Sequence, residues 1–419
     1  MKTDQINYSH SKDTPHFHFE YSFRSHCAFQ YGRVQGDPLA LHGVYNQDYI
    51  LRFITALEDS WKYFEDREWE MPPCPIRVVF CDLVDCYGKT RPDDNSFPLR
   101  KNVRIEFASR HEDPQGPCNE ALIKPLAAHE LCHVIQANLH PDCLTDKDPW
   151  AWFSEATATY MQTAFCNTST EHFRSMFRWF DEPNRQLYLL NGSREYGGVV
   201  FCKFLTDRFG PDFLRDVWKM APAVKSPFKA IEKCAQRHES IQFASPSSPD
   251  LFLSEFLVSL FFLDNGHVLG SDYRQRFQHV FAELHRKENR IEGKLLSPLS
   301  ARYHLIKVPD KNSKEVELKL EVRASFSIPQ GQSPGKAAVC MIDKNLKQIN
   351  DKHFELYLNP EERTDWYKHE ESFGWPASTD VDYILVIVAN TEWKSQPEDQ
   401  VILIGPRAIE EYAINVKFP

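Results

Sequence analysis

The hydrophobic periodicity of this chain changes once, near residue 295, and this change limits the folds that the chain can adopt. From Pro125 to about Leu284 apolar residues recur at helical intervals, whereas after Lys294 short apolar runs alternate with Pro-, Gly- and Ser-rich turns. The length of 419 residues also exceeds the roughly 250 to 300 residues at which a single core stops growing. We therefore expect an α+β protein with two domains, over residues 1–297 and 298–419.

The first domain is predicted to combine a small mixed sheet, within about residues 1–124, with a helical part over about residues 125–297. Short runs of β-branched and aromatic residues predict strands at residues 16–23, 76–81 and 103–107. Helical spacing of apolar residues predicts one long amphipathic helix over residues 46–64. Gly210 and Pro211 predict a break between two helices of the helical part.

The second domain is predicted to consist of strands. Alternating or clustered apolar residues indicate strands at residues 303–308, 316–322, 337–342 and 383–388. About 120 residues of β structure is a size typical of a sandwich. A C-terminal β-sandwich-like domain is therefore expected.

The charge balance of the chain argues against nucleic acid as a partner. The formal net charge is -10, the sequence pI is about 6.0, and no long Lys/Arg tract is present. Nucleic-acid binders carry the opposite electrostatic signature, a basic patch or stripe that contacts phosphates.

The apolar segments predict neither export nor membrane insertion. No segment near the N-terminus has the apolar length that a secretory signal needs. The strongest apolar run, residues 251–263, contains Glu255 and is shorter than the roughly 20 residues that cross a bilayer, so we expect a buried helix. Eleven scattered cysteines without a CxxC pair favour reduced thiols. A cytoplasmic location is expected, secretion without a signal remains open, and the oligomeric state is not indicated.

An HExxH pattern lies in residues 127–137, which read AAHELCHVIQA. On a helix, His129 and His133 share one face a turn apart, where both imidazoles can bind one tetrahedral zinc ion. Glu130 then lies beside the open coordination position, where a general base is needed. Pro125 suits the first position of such a helix. Such patterns also arise by chance, and an ordinary helix with two solvated or hydrogen-bonded histidines is the competing interpretation.

A catalytic zinc site usually has a third protein ligand, and the sequence after the motif offers several. The longer HExxHxxGxxH pattern is excluded because the chain lacks both the Gly and the final His. The remaining candidates are His140, Asp142, Asp146 and Glu155. Glu155 is favoured because it begins a predicted helix whose small alanines allow another helix to approach closely. Cys132 is expected to point away from the ligand face as a buried apolar residue.

Two sequence blocks together resemble a known family. AAHELCHVIQ is followed by WFSEATATYM, with 21 residues between His133 and Glu155. This combination resembles the gluzincin metallopeptidases, in which a Glu on the next helix completes an HExxH site. More narrowly, it is similar to a largely uncharacterised group of bacterial metalloproteases with the motifs AAHExxHxIQ and WFxEATATxM. The resemblance covers roughly residues 76–210, about a third of the chain.

The resemblance implies a zincin-like fold, with a small sheet above the motif helix and substrate along the sheet's edge strand. Residues 103–107 match that edge strand by position. Thermolysin-like members have an Asp four residues after the Glu ligand, but this chain has Thr159, so the partners of the ligand histidines are unassigned. The GAMEN-like motif of the aminopeptidase branch is missing before HExxH, which favours an endopeptidase or oligopeptidase.

The resulting prediction is a zinc peptidase that hydrolyses peptide bonds of a protein or peptide substrate. One Zn²⁺ per chain is expected on His129, His133 and Glu155. Glu130 is expected to take the proton of the attacking water. Tyr196, within the sequence REYGG, is the candidate donor to the tetrahedral oxyanion; a core or capping tyrosine is the competing interpretation.

Two other functions remain open from the sequence. The first is a catalytically silent zinc-binding module that acts through protein or glycan binding by the β domain. The second is another metal-dependent hydrolase. The intact pattern argues against a silent module, because a degenerate peptidase is expected to lose Glu130 first.

Overall fold

The computed structural model of the chain describes residues 10–22, 47–81, 83, 86–92, 103–108, 120–166, 179, 182–242, 256, 282–285, 290–296, 300–310, 313–324, 336–342, 354–357, 359–360, 366–376, 379–390 and 409–418. These residues form a protein of the α+β class with several sheets in its C-terminal region. The chain divides into two compact units. The first comprises Met1–Arg174 and Leu205–Cys234, and the second comprises Ser175–Phe204 and Ala235–Pro419.

The sheet of the first unit is mixed. Its five strands are β1 (His10–Asp13), β2 (Phe17–Tyr21), β3 (Ile76–Cys81), β4 (Gly88–Pro92) and β5 (Val103–Ala108). They lie in the order β1-β2-β3-β5-β4. β2, β3 and β5 are parallel, whereas β1 and β4 run antiparallel at the two edges. The strands predicted at residues 16–23, 76–81 and 103–107 are therefore confirmed in β2, β3 and β5.

The edge strand next to the motif was predicted wrongly. The segment Val103–Ala108 is β5, which lies between β3 and β4, and β4 forms the edge. β4 has the sequence GKTRP, which contains no aliphatic or aromatic side chain and so gives no strand pattern. Tertiary pairing with β5, and not local propensity, makes this segment a strand.

The α-helices of the described residues, in chain order, are α1 (Gln47–Glu65), α2 (Glu120–Leu139), α3 (Ala151–Cys166), α4 (Arg194–Gly197), α5 (Val199–Phe209), α6 (Phe213–Lys219) and α7 (Pro227–Gln242). α1 covers the sheet of the first unit, where the ring of Phe53 lies 5.3 Å from Phe80 and 4.3 Å from Phe107. α2 packs against α1, α3, β4 and β5. This packing places the HExxH helix between the sheet and α3.

Two helix boundaries can be compared with the sequence. The predicted break is confirmed, because α5 ends at Phe209 and Gly210 has a φ of 104°, a left-handed conformation that Gly adopts without strain. The start of α2 was predicted wrongly: the helix begins at Glu120, so Pro125 lies inside it. Since Pro125 has no N–H, the helix loses one hydrogen bond there.

In the second unit the described residues form two five-stranded sheets. One has the order β11-β10-β14-β8-β6 and the other β12-β13-β9-β15-β7. The strands are β6 (Ala282–His285), β7 (Arg290–Leu296), β8 (Ser300–Lys307), β9 (Glu315–Ala324), β10 (Lys336–Ile342), β11 (Phe354–Tyr357), β12 (Asn359–Pro360), β13 (Trp366–Gly374), β14 (Tyr383–Asn390) and β15 (Ile409–Lys417). The four strands predicted in this region are confirmed in β8, β9, β10 and β14.

A common core joins the two sheets of the second unit. Its buried residues include Leu318 and Leu320 of β9, Val339 of β10 and Ile384 and Val386 of β14. Along β9 these residues alternate with Lys319 and other polar residues, the pattern of a strand with one buried face. Each sheet therefore buries one face against the other.

The strand region starts earlier than the sequence indicated. β6 pairs with β8 in parallel and β7 pairs with β15, although both β6 and β7 precede the expected domain boundary at residue 297. The prediction of helix up to Leu284 is wrong at its end, because Ala282–His285 is a strand. The helix predicted at residues 251–263 lies outside the described residues, apart from buried Phe256.

Within the described ranges, none of the helices combines the length and the apolar character required to cross a membrane.

Candidate metal centre

The motif histidines lie on a helix that is buried on all sides. From Ala127 to Ala137 every residue of α2 is buried, including His129 and His133. The four-residue spacing brings the two imidazole rings together, with ring centroids 4.7 Å apart. Two buried imidazoles so close to one another require polar partners, since an unpaired buried polar group is costly.

α3 supplies a carboxylate to the same place. Glu155 lies just after the first turn of α3, which begins at Ala151, and its neighbours Ala156 and Ala158 are completely buried, which lets α2 and α3 approach closely. The preceding Trp150 holds the start of α3, because its indole N–H donates to the backbone oxygen of Val224 over 3.2 Å. Trp150 thus acts as a packing residue at the start of α3.

The three donor atoms form a triangle suited to a small metal ion. The Nε2 atoms of His129 and His133 are 3.0 Å apart, and Oε2 of Glu155 lies 3.4 Å from each of them. Zinc binds such N and O donors at about 2.0 to 2.2 Å, so donors at two corners of a tetrahedron are separated by roughly 3.3 Å. The observed distances therefore match the edges of a tetrahedral site.

The outer nitrogens of both rings are occupied by side-chain oxygens. Nδ1 of His129 lies 3.1 Å from Oε1 of Gln162. Nδ1 of His133 lies 2.9 Å from Oε1 of Gln136 and 3.0 Å from Oγ of Ser154. Amide oxygens only accept hydrogen bonds, so each Nδ1 carries the proton and each Nε2 presents its lone pair to the centre. This is the tautomer that binds a metal through Nε2.

The carboxylate of Glu155 also indicates a cation. Its Oε2 atom is buried and has no hydrogen-bond partner among the described residues. A buried carboxylate oxygen without a donor is strongly destabilising unless a positive charge compensates it. The orphaned oxygen, the two inward lone pairs and the tetrahedral spacing together fit a zinc ion held by His129, His133 and Glu155.

The same charges couple the protonation of these groups. Although burial favours the neutral imidazole, the carboxylate of Glu155 raises the pKa of His133 to about 9. Burial also opposes ionisation of Glu155, but His133 and His129 hold the pKa of its carboxyl well below the usual range. The site is therefore built to keep Glu155 ionised beside a positive charge.

Glu130 lies beside this group and is held from β4. Thr90 on β4 donates its hydroxyl to Oε2 of Glu130 over 2.8 Å, and both side chains are buried. Gly88 lies two residues earlier, and a Cβ atom there would lie 2.7 Å from Oε1 of Glu130. Burial raises the pKa of the Glu130 carboxyl. A carboxylate with one anchored oxygen and a raised pKa is suited to accept a proton.

The other ligand candidates lie outside the donor triangle. Among the described residues, the group that could hold a metal ion consists of His129, His133 and Glu155. His140 instead pairs with Asp148 through Nε2, at 3.0 and 3.1 Å from the two carboxylate oxygens. The remaining candidates, Asp142 and Asp146, are described but do not join the triangle, and Cys132, which is also outside it, is buried.

Tyr196 lies on the short helix α4 of the second unit. Neighbouring Arg194 is buried and donates to the backbone oxygens of Trp179, Arg185 and Gln186. These contacts order the chain before α4. The role of Tyr196 as an oxyanion donor stays a prediction.

Five residues around the site were not singled out from the sequence. Gln136 and Gln162 could have been found, because they lie at helical spacing from His133 and Glu155 and so share their helix faces. The other three, Ser154, Thr90 and Gly88, gave no local signal. Thr90 and Gly88 reach the site only because β4 is folded against α2.

Comparisons with known proteins assign no activity. Residues 119–245, which contain the whole donor triangle, match the model of a "Family of unknown function (DUF6055)". No curated protein matches the chain. Among solved structures, the chain is similar to the pre-peptidase C-terminal domain of collagenase from Bacillus anthracis. That similarity has 9% sequence identity and a TM-score of 0.18, and covers 32% of this chain and 94% of the collagenase domain. At such a TM-score it supports no argument.

Proposed function

We propose that this protein is a zinc-dependent peptidase of the gluzincin type, with a zincin-like first domain. One observation carries the proposal: three donor atoms on two packed helices are spaced at 3.0 and 3.4 Å, and the Nδ1 atoms of both histidines donate to side-chain oxygens away from the triangle. A chance pair of helical histidines needs neither the converging carboxylate nor this tautomer. His129, His133 and Glu155 would hold the ion.

In the proposed mechanism the residues of the chain have different roles in catalysis. Zinc, when bound, supplies a Lewis acid that polarises a carbonyl group and makes water more acidic. Glu130 accepts the proton of the attacking water and returns it to the leaving amine. Thr90 holds Oε2 of Glu130, so Oε1, which faces Gly88, is left to carry the proton.

The outer edge of β4, which among the described residues pairs with no strand other than β5, supports a peptide as the substrate. The N–H of Ala108 donates to the oxygen of Tyr87 over 2.8 Å, so Tyr87 and every second residue of β4 after it turn their backbone groups toward β5. The backbone N–H and C=O groups of Gly88 and Thr90 consequently point outward. An extended peptide can pair with these groups directly beside Glu130.

Metal analysis provides the first test. We expect close to one zinc per chain, lost on treatment with a chelator. The variants His133→Ala and Glu155→Ala should both lose the metal. His140→Ala is the matched control and should keep it, because His140 pairs with Asp148 outside the triangle. Zinc retained by Glu155→Ala but lost by His140→Ala would overturn the assignment.

The second test separates binding from turnover. Glu130→Gln keeps the size of the side chain but cannot accept a proton, so zinc should stay bound. Cleavage of a mixed peptide library should fall by roughly 100-fold to 10,000-fold, the range for loss of a general base. A silent zinc-binding module predicts no cleavage by either protein. Equal cleavage by both proteins would place the catalytic centre elsewhere.

A further inference from the structure

The two faces of edge strand β4 carry different chemistry. Gly88 and Thr90 face Glu130 on α2. Because side chains alternate along a strand, Tyr87, Lys89 and Arg91 lie on the opposite face. Lys89 and Tyr87 are exposed, and 37% of the Arg91 side chain is exposed. A peptide bound along β4 therefore meets the base on one face and cationic side chains on the other.

The charges on this second face do not cancel. Arg91 and Arg104 both pair with the buried carboxylate of Glu106, at 2.6 and 2.8 Å. Nε of Arg91 is buried and has no hydrogen-bond partner in the part of the chain that the structure describes. Lys89 lies opposite Glu106 of β5 but forms no ion pair with the described residues. Among the described residues of β4 and β5 on this face, three cations, Lys89, Arg91 and Arg104, accompany the carboxylate of Glu106.

Strand pairing brings the side chains of a bound peptide onto these cations. If a peptide pairs antiparallel with the outward groups of Gly88 and Thr90, its residue opposite Lys89 occupies a non-hydrogen-bonded position. Cross-strand side chains are closest at such positions, and opposite charges there are stabilising. Its side chain lies on the Lys89 face of the strand.

We propose that β4 selects extended peptides with acidic side chains at the alternate positions that face Lys89 and Arg91. The inference rests on the proposed peptidase function and adds a substrate class to it. Gly88 and Thr90 provide the main-chain pairing, and the two cations provide the preference between peptides. Lys89 has the larger role because it is the exposed cation without a partner in the described chain.

The test uses the full-length, zinc-loaded protein and peptides with Glu, Gln or Lys at every second position, in both registers. Binding is measured by fluorescence anisotropy on Glu130→Gln, and cleavage is measured on the wild type. We expect the Glu peptides to bind roughly 2-fold to 30-fold more tightly than the Gln peptides, from two opposite-charge pairs together. Lys peptides should bind most weakly.

Charge reversal at Lys89 tests whether this residue determines the preference for acidic peptides. Lys89→Glu should weaken the Glu peptides and strengthen the Lys peptides, with zinc content and circular dichroism unchanged. Lys12→Glu is the matched control, because Lys12 is an exposed lysine on β1, at the other edge of the same sheet. This control should retain the wild-type preference.

The outcomes separate the inference from the proposed function. Equal binding of the Glu, Gln and Lys peptides, or an unchanged preference in Lys89→Glu, overturns the inference but leaves a peptidase that cleaves them. A Glu preference in binding without cleavage by the wild type supports the inference and overturns the peptidase. Failure to bind any of the peptides overturns both.

Discussion

The hydroxyl of Thr90 lies 2.8 Å from Oε2 of Glu130, so a side chain of the edge strand holds the residue that we propose as the general base. The same hydroxyl lies 3.0 Å from the backbone oxygen of Glu130. Both contacts join β4 to α2. The strand whose edge we propose for peptide binding therefore also orients Glu130.

Removal of this hydroxyl should impair turnover without affecting the metal. In Thr90→Val the carboxylate loses its anchor, and we expect kcat to fall roughly 10-fold to 100-fold, the effect of losing one hydrogen bond to a charged group. KM and zinc content should change little. Thr90→Ser keeps the hydroxyl and should retain most of the activity. Steady-state kinetics and metal analysis of the three proteins check this, and equal loss in both variants would contradict the orienting role.

A substitution at Gly88 provides a second, independent test of the position of the Glu130 carboxylate. A methyl group at this position would lie 2.7 Å from Oε1 and 2.9 Å from Cγ of Glu130, so the flexible carboxylate must move. Gly88→Ala should fold and bind zinc but lose activity on the order of 100-fold, as expected for a misplacement of about 1 Å. Gly374→Ala is the control, because its new Cβ would meet the nearest atom at 3.6 Å. Full activity in Gly88→Ala would show that Oε1 does not act at this place.

Gln162 should determine how tightly the metal is held. Its Oε1 atom accepts from Nδ1 of His129 over 3.1 Å and fixes the ring orientation. Gln162→Leu should weaken zinc binding by about 10-fold to 100-fold, the range for loss of such a partner. Gln162→Glu keeps an acceptor and should bind at least as tightly as the wild type. Competition with a chromogenic chelator measures both, and unchanged affinity in Gln162→Leu would exclude this role.

Acid should destabilise the second unit through His304. Its Nε2 lies 2.8 Å from the hydroxyl of Tyr412, and burial, with the nearby His285 and Arg302, lowers its pKa to about 3 from 6.5. Below pH 6.5 the unfolded chain therefore binds a proton that the folded chain excludes, so stability falls as pH falls toward 3. From pH 6.5 to 4.5 the loss should be about 2 kcal/mol.

His304→Gln should remove this part of the pH dependence. Urea denaturation of both proteins, followed by circular dichroism at several pH values, measures the difference. The stability of the wild type relative to the variant should decline below pH 6.5 and be constant above pH 7.5. Parallel curves across the whole range would show that His304 does not titrate as described.

Local patterns were sufficient for much of the fold. Residues 76–81 are β-branched or aromatic at four of six positions, so their strand was predictable without knowledge of their partners. The helical spacing of His129 and His133 was equally readable, because four residues make about one turn of any α-helix. These features depend only on neighbours in the sequence.

Local sequence patterns could not predict which candidate is the third metal ligand, and they could not predict the order of the strands in the sheet. β4 carries no hydrophobic pattern, and only its pairing with β5 makes it the edge strand that places Thr90 and Gly88 against Glu130.

The sequence by itself determined two histidines and a glutamate on one helix, a second helix with a carboxylate, and a β-rich C-terminal region. Tertiary structure decided that Glu155, and not His140, converges on the histidines, since α3 packs on α2 whereas His140 turns to Asp148. Tertiary structure also determined which side-chain oxygens accept hydrogen bonds from the Nδ1 protons of the two imidazoles. The physical reason is range: helical periodicity is a property of adjacent residues, whereas a coordination triangle needs atoms from separate elements within a few tenths of an ångström, which packing alone sets.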